Sequence, residues 1–79
     1  MTDTISIKAT VDASDLMCPM PMLKAKQGLK ALESGECLKV IATDYNSERD
    51  FRAFLQISGN RLMSFSKQNN AYIYVIQKA

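Results

Sequence analysis

Ile5-Ser6-Ile7-Lys8-Ala9-Thr10-Val11-Asp12-Ala13 runs, after a short break, into Cys18-Pro19-Met20-Pro21-Met22-Leu23-Lys24-Ala25. The first stretch places Ile5, Ile7, Ala9, Val11 and Ala13 on one face and Ser6, Lys8, Thr10 and Asp12 on the other. Period two over residues 5 to 13 predicts a half-buried strand. In the second stretch two prolines separated by one residue would break a helix interior. In a first turn they remove only N–H groups that have no intrahelical acceptor. Met22, Leu23, Ala25, Leu29 and Leu32 then recur at helical spacing until Gly35, so a helix of about fourteen residues is expected, opened by prolines and closed by glycine. Gly28 inside it costs about 1 kcal/mol against Ala, and close packing on a strand is the reason expected for it.

Working outward, Cys37 to Thr43 is apolar and β-branched enough for a second strand, and Asp44-Tyr45-Asn46 reads as a turn. Ser47-Glu48-Arg49-Asp50 resembles a helix start with Ser47 as N-cap and Asp50 in place of the usual capping-box Glu or Gln. Phe51, Phe54, Leu55 and Ser58 form the expected buried stripe, and Gly59 the expected stop. Leu62 to Lys67 and Tyr72 to Gln77 read as a hairpin joined by Gln68-Asn69-Asn70-Ala71. The order is βαβαββ, one domain over 1–79. Two strands joined through a helix are normally parallel with a right-handed crossover. Cys18 and the turn at 44–47 therefore belong at one end of the sheet, each beside a helix N-terminus, where an anion is favoured, and Cys37 belongs at the other end. A helix of roughly 20 Å between them makes an internal Cys18–Cys37 disulfide unexpected, since a disulfide needs Cα atoms within about 7 Å.

Composition narrows the chemistry. The chain has 79 residues, 47% of them apolar, with ten Lys or Arg against eight Asp or Glu, two cysteines and no histidine. An N/S zinc site would need carboxylates for half its ligands, and histidine acid/base work is excluded. No cofactor or resident metal is expected. A net charge of +2 is too small for a nucleic-acid footprint. Met1-Thr2-Asp3-Thr4 lacks the features of a secretory signal, and no apolar run approaches membrane-spanning length. The cytoplasm is the expected location, where thiols stay reduced and a working cysteine is catalytic, redox-active or a ligand.

Cys18 is the candidate nucleophile. Pro19 restricts it to extended geometry, and a thiol at a helix N-terminus has its pKa lowered and its thiolate fraction raised. Without histidine or a nearby second cysteine, Cys–His proteolysis and CxxC-type disulfide exchange are excluded. Free cysteines are often inert small hydrophobes. That reading suits Cys37, in strand alternation beside Leu38, but it explains neither Pro19 nor Pro21.

With Leu16-Met17-Cys18-Pro19-Met20-Pro21-Met22-Leu23-Lys24-Ala25-Lys26, Gly35-Glu36, Thr43-Asp44, Asp50-Phe51, Gly59 and Tyr72-x-Tyr74-x-Ile76 in order, the chain resembles the TusA family, also called SirA-like or YedF/YeeD-like, of small bacterial sulfur carriers. The resemblance covers nearly the whole chain. It departs at Tyr45-Asn46, where many relatives have Pro-Gly, at Leu55, where many have a second cysteine, and at Asn60, where many have His. The resemblance implies an α/β fold, a two-layer sandwich of two helices packed on a mixed four-stranded sheet. It also implies a sulfurtransferase-type persulfide carrier, with Cys18 accepting sulfane sulfur and Pro19 and Pro21 shaping its loop. The donor it implies is a cysteine desulfurase or rhodanese-like protein, and the acceptor a downstream protein such as a tRNA-thiolating relay.

Lys24 and Arg49 are candidate anion or partner contacts, and Met17 and Met20 a candidate adaptable docking surface. Tyr72 and Tyr74 share a strand face and are expected to pack on the sheet. A competing reading is an RNA-binding or regulatory interaction module of the same layout. It would need Lys24, Lys30, Arg61 and Lys67 to converge on one surface.

Overall fold

The computed structural model describes residues 6–17 and 19–79. The expectations placed on 1–5, and the geometry expected of Cys18 itself, lie outside the described residues. The elements are β1 (Ile7–Ala13), α1 (Met20–Lys30), β2 (Cys37–Ala42), α2 (Ser47–Ser58), β3 (Arg61–Gln68) and β4 (Ala71–Gln77). They form one mixed sheet in the order β1-β2-β4-β3. β1 pairs parallel to β2, ending on Ala13 opposite Ala42, and β4 pairs antiparallel to both β2 and β3.

Strand alternation sorts the sheet into two faces. Leu38, Val40 and Ala42 of β2 and Tyr72, Tyr74 and Ile76 of β4 are buried against Ala25 and Leu29 of α1 and Phe51 of α2. Fully burying a side chain such as Leu38, Ile76 or Phe51 contributes about 1.5–3 kcal/mol. Lys39, Ile41 and Ile73 alternate onto the opposite face and are half-buried. The result is two layers, helices on one face only. At Gly28 the backbone of α1 lies close on the sheet. A Cβ there would lie 3.0 Å from Leu38 Cδ2 and 3.1 Å from Val11 Cγ2, which explains a glycine that helix propensity alone disfavours.

Three local readings change. α1 has 11 residues and ends at Lys30, short of Gly35, because the Ala31 and Leu32 amides turn back to the Gly28 and Leu29 carbonyls at 3.2 and 3.1 Å. This tighter turn keeps Leu32 in phase and buried, so its sidedness mimics a longer helix. At the start of α2, Asn46 and not Ser47 is the N-cap residue, with no side-chain cap bond. Ser47 is fully buried and its Oγ lies 2.8 Å from the Tyr74 hydroxyl. The helix gains an anchor to the sheet in place of a cap, and Phe51 stacks on the same tyrosine ring with centroids 4.4 Å apart. In the hairpin, β3 and β4 run closer together than expected and leave only Asn69-Asn70 as the connection. Asn69 takes φ 55°, a left-handed conformation that asparagine tolerates and tight hairpins need. Gly59 stops α2 as expected, at φ 80°, with its N–H donated to the Leu55 carbonyl.

Candidate functional site

The pairing directions gather the chemistry-bearing loops. The C-terminal ends of β1 and β2, the N-termini of α1 and α2 and the Asn69-Asn70 turn share one end of the sheet, here called the top. A hydrogen bond from the Asp15 N–H to Thr43 Oγ1, 2.8 Å, ties the loop after β1 to the segment after β2. Cys37 opens β2 at the bottom, paired with Ile7 and Gln77 and 5% exposed. It is a small hydrophobe in the sheet.

The approach to Cys18 is built from short local bonds. Ser14 N–H donates to Asp12 Oδ1 at 3.0 Å, and Leu16 N–H to the Ala13 carbonyl at 3.3 Å. Asp15 sits at φ 66°. Beyond Cys18, Pro19 is the N-cap residue of α1 and Pro21 lies within its first turn. Met20 N–H closes a turn onto the Met17 carbonyl at 2.9 Å, and Leu23 N–H makes a helical bond to the Pro19 carbonyl at 3.1 Å. Pro21 is fully buried while Pro19 is exposed, so one proline anchors the helix to the core and the other faces solvent. Two of the four amides at 19–22 are missing by sequence and Met20's is engaged, which leaves Met22 as the only other amide of that turn.

Charge at the top is mixed. Asp12, Asp15 and Asp44 rim the loops, and Glu48 and Asp50 lie in the first turn of α2, where they balance that helix's own N-terminal dipole. The hydroxyl and amide of Ser14 hold the Asp12 carboxyl below its ordinary value. Arg49, exposed, has its Nε 3.8 Å from Asp50 Oδ1, and Arg52 pairs with Glu48 one turn on at 2.9 Å. Lys24 is exposed on α1. Met17 and Met20, 77% and 44% exposed, flank position 18. Among the described residues no group of His, Cys, Asp and Glu could hold a metal ion, and no helix is long and apolar enough to cross a membrane.

The cations required for the RNA reading are dispersed. Lys24 and Lys30 lie on α1, which packs on β1 and β2, whereas Arg61 and Lys67 lie at opposite ends of β3 on the far edge. Tyr72 and Tyr74 are buried in the core, unavailable to stack a base. A feature missed in the sequence is an apolar trough of about 470 Å³ between the helices, lined by Met22, Lys26, Phe54 and Ile57 among others. Ile57, 88% exposed, falls off the Phe51/Phe54/Leu55 stripe, and that misplaced apolar residue was its one sequence signal.

Comparison with known proteins supplies the context for this arrangement. The family model described as Sulfurtransferase TusA matches residues 9–78. A sulfur carrier protein TusA of Allochromatium vinosum is 45% identical over 69 residues, covering 87% of this chain and 91% of its own. One from Pseudomonas entomophila is 38% identical over 78 residues, covering 99% and 96%. A putative sulfur carrier protein of Neisseria meningitidis is 38% identical, covering 86% and 92%. The solved structure of a SirA-like protein from Desulfitobacterium hafniense superposes with a TM-score of 0.75 at 24% identity, over 87% of this chain and 95% of that one, which shows the shared fold. With the model matching nearly end to end and sulfur carriers aligning over almost their full length, the chain belongs to the TusA family.

Proposed function

We propose that this protein is a sulfur-relay carrier, a single domain over 1–79 in which Cys18 holds sulfane sulfur as a persulfide between a donor and an acceptor protein. The observation that carries this reading is near full-length similarity to proteins named sulfur carriers in a chain whose Cys18-Pro19-Met20-Pro21 run opens α1. Two transfers of one sulfur atom describe the cycle. The Cys18 thiolate attacks the terminal sulfur of a donor cysteine persulfide, a new S–S bond forms, the donor S–S bond breaks, and the donor cysteine leaves as thiolate. An acceptor thiolate then attacks the terminal sulfur on Cys18 and returns the Cys18 thiolate. No net oxidation or reduction occurs in either step.

The rest of the chain suits a carrier. Pro19 and Pro21 stiffen the loop, and the N-terminal end of α1 favours the thiolate. Cys37, buried in the sheet, is withheld from discharging the persulfide. Met17 and Met20 offer a polarisable, adaptable contact surface for more than one partner, with Lys24 and Arg49 as flanking charges. The donor is a cysteine desulfurase or rhodanese-like protein, the acceptor a thiol protein of a relay such as tRNA thiolation, and the compartment the reducing cytoplasm.

Incubation with a cysteine desulfurase and cysteine is expected to add the mass of one sulfur atom to the intact protein, reversed by dithiothreitol. Cys37→Ala should label like the parent and Cys18→Ser not at all. Labelling of Cys18→Ser, or an unlabelled parent, would overturn the reading.

A further inference from the structure

Segment 14–17 leads directly into position 18, yet little packing holds it. Asp15 and Met17 are exposed and Ser14 and Leu16 only half-buried. Its bonds at Ser14, Leu16 and Met20 are all local and move with the loop. The bond that ties it to another part of the chain is the 2.8 Å contact from the Asp15 N–H to Thr43 Oγ1, 28 residues away. Thr43 is well placed to act as a fixed post. It follows Ala42, which is fully buried in a strand hydrogen-bonded on both sides. The bond also lands on the most constrained residue of the loop. Asp15 lies at φ 66°, a left-handed conformation that costs a non-glycine residue roughly 1–2 kcal/mol and persists where surrounding contacts enforce it.

We propose that Thr43 is a positioning residue for the sulfur-carrying cysteine: by accepting the Asp15 N–H across the top of the sheet, its hydroxyl fixes the loop that presents Cys18. This inference rests on the reading of Cys18 as the reactive thiol. Thr43 touches no reacting atom. It holds Asp15 in its left-handed turn, and the turn sets the path of Leu16 and Met17, the residues that precede position 18 in the chain. Valine at 43 keeps the shape and deletes the acceptor, whereas serine keeps the acceptor and deletes a methyl group.

The test separates this role from the carrier function by using a small reagent. The rate of iodoacetamide alkylation at Cys18 is measured against pH in a Cys37→Ala background, with urea melts to confirm folding. Thr43→Val is expected to slow alkylation at neutral pH by about tenfold, through a smaller thiolate fraction once the thiol leaves the helix N-terminus, and to move the pH profile toward that of a free thiol. Thr43→Ser should stay within about twofold of the parent. A Thr43→Val profile that overlays the parent, or equal loss in Thr43→Ser, overturns the proposal. Amide exchange in the parent tests it without any variant: a protected Asp15 N–H supports it and exchange at the unfolded-chain rate refutes it. If the proposal fails while the desulfurase still loads Cys18, the carrier reading stands. If Cys18 never accepts sulfur, that reading falls whatever Thr43 does.

Discussion

The two ends of the sheet are held in different ways. At the bottom, Gly35 N–H donates to the Lys78 carbonyl and Lys78 N–H to the Glu36 carbonyl, at 2.8 and 2.9 Å. Gln77 Nε2 reaches the Gly35 carbonyl and Lys78 Nζ the Leu32 carbonyl, at 3.1 and 2.7 Å, while Asn60 accepts the Ala79 N–H at 2.9 Å. At the top, the loops bond mostly to themselves, Met17 and Tyr45 are 77% and 75% exposed, and Thr43 supplies the cross-link to Asp15. Beneath those loops lies a buried polar contact, Ser47 with Tyr74. The difference teaches a division of labour. Long-range bonds hold the bottom of the sheet, whereas the top, where the proposed site lies, keeps exposed surface and loops bonded mostly within themselves.

That contrast can be broken by measurement. The largest effect is expected at Leu38, in the bottom half of β2 and wholly buried. Leu38→Ala should cost about 2–5 kcal/mol in urea denaturation, whereas Met17→Ala and Met20→Ala at the top should stay within about 0.5 kcal/mol. Comparable losses at both ends would dissolve the distinction. Next comes the buried pair below the top. Ser47→Ala leaves the Tyr74 hydroxyl unpaired and should cost about 1–3 kcal/mol, with most of it recovered in the Ser47→Ala/Tyr74→Phe double variant. If the double variant is no better than the single, the hydroxyl pair is not what anchors α2.

A pH effect follows from the same tyrosine. Burial chiefly pushes Tyr74 up to about 12 from an ordinary 10.0, opposed by its bond with Ser47 and reinforced by the nearby Glu48 charge. The folded state therefore binds the phenolic proton more tightly than the unfolded chain does. This stabilisation is complete below pH 10 and is lost as pH rises from about 10 through about 12. Alkaline titration followed by circular dichroism should show that loss, and Tyr74→Phe should flatten it. The smallest effect belongs to the bottom. Lys8→Ala removes a pair with Glu36 at 3.9 Å whose lysine is 64% exposed, and the change in melting should amount to no more than about 0.5 kcal/mol.

Readability in the sequence followed the range of the interaction. The alternation of β1, the prolines that open α1, the glycine that stops α2 and the alternation of Leu38, Val40 and Ala42 are local signals, and they sufficed for element order and for most inward residues, although Ser58 of the expected α2 stripe and Leu23 of α1 are exposed. Ser47 was misread because Ser-x-x-Asp looks the same whether the hydroxyl caps its helix or turns into the core, and only Tyr74, 27 residues on, decides it. Leu32 continued a helical pattern that the backbone had already left for a tighter turn. The candidate cysteine was legible from Cys18-Pro19-Met20-Pro21, and Thr43 only as part of a shared Thr-Asp element; the bond it accepts was not, because its partner is a backbone amide and a backbone amide leaves no residue-type signature.

The position of β4 in the sheet order β1-β2-β4-β3 has a consequence for synthesis. β4 is the last of these four strands to be made and lies between β2 and β3, so the sheet has no continuous middle until residues 71–77 leave the ribosome. Its hairpin with β3 can form at once because that pairing is local, while the contacts that bury Leu38 and Val40 under α1 need Tyr74 and Ile76 beside them and close late. Residue 18 is translated long before that point. The nascent chain around residue 18 therefore spends its first moments on an unfinished sheet, and the top of the sheet takes its final form only once β4 is in place.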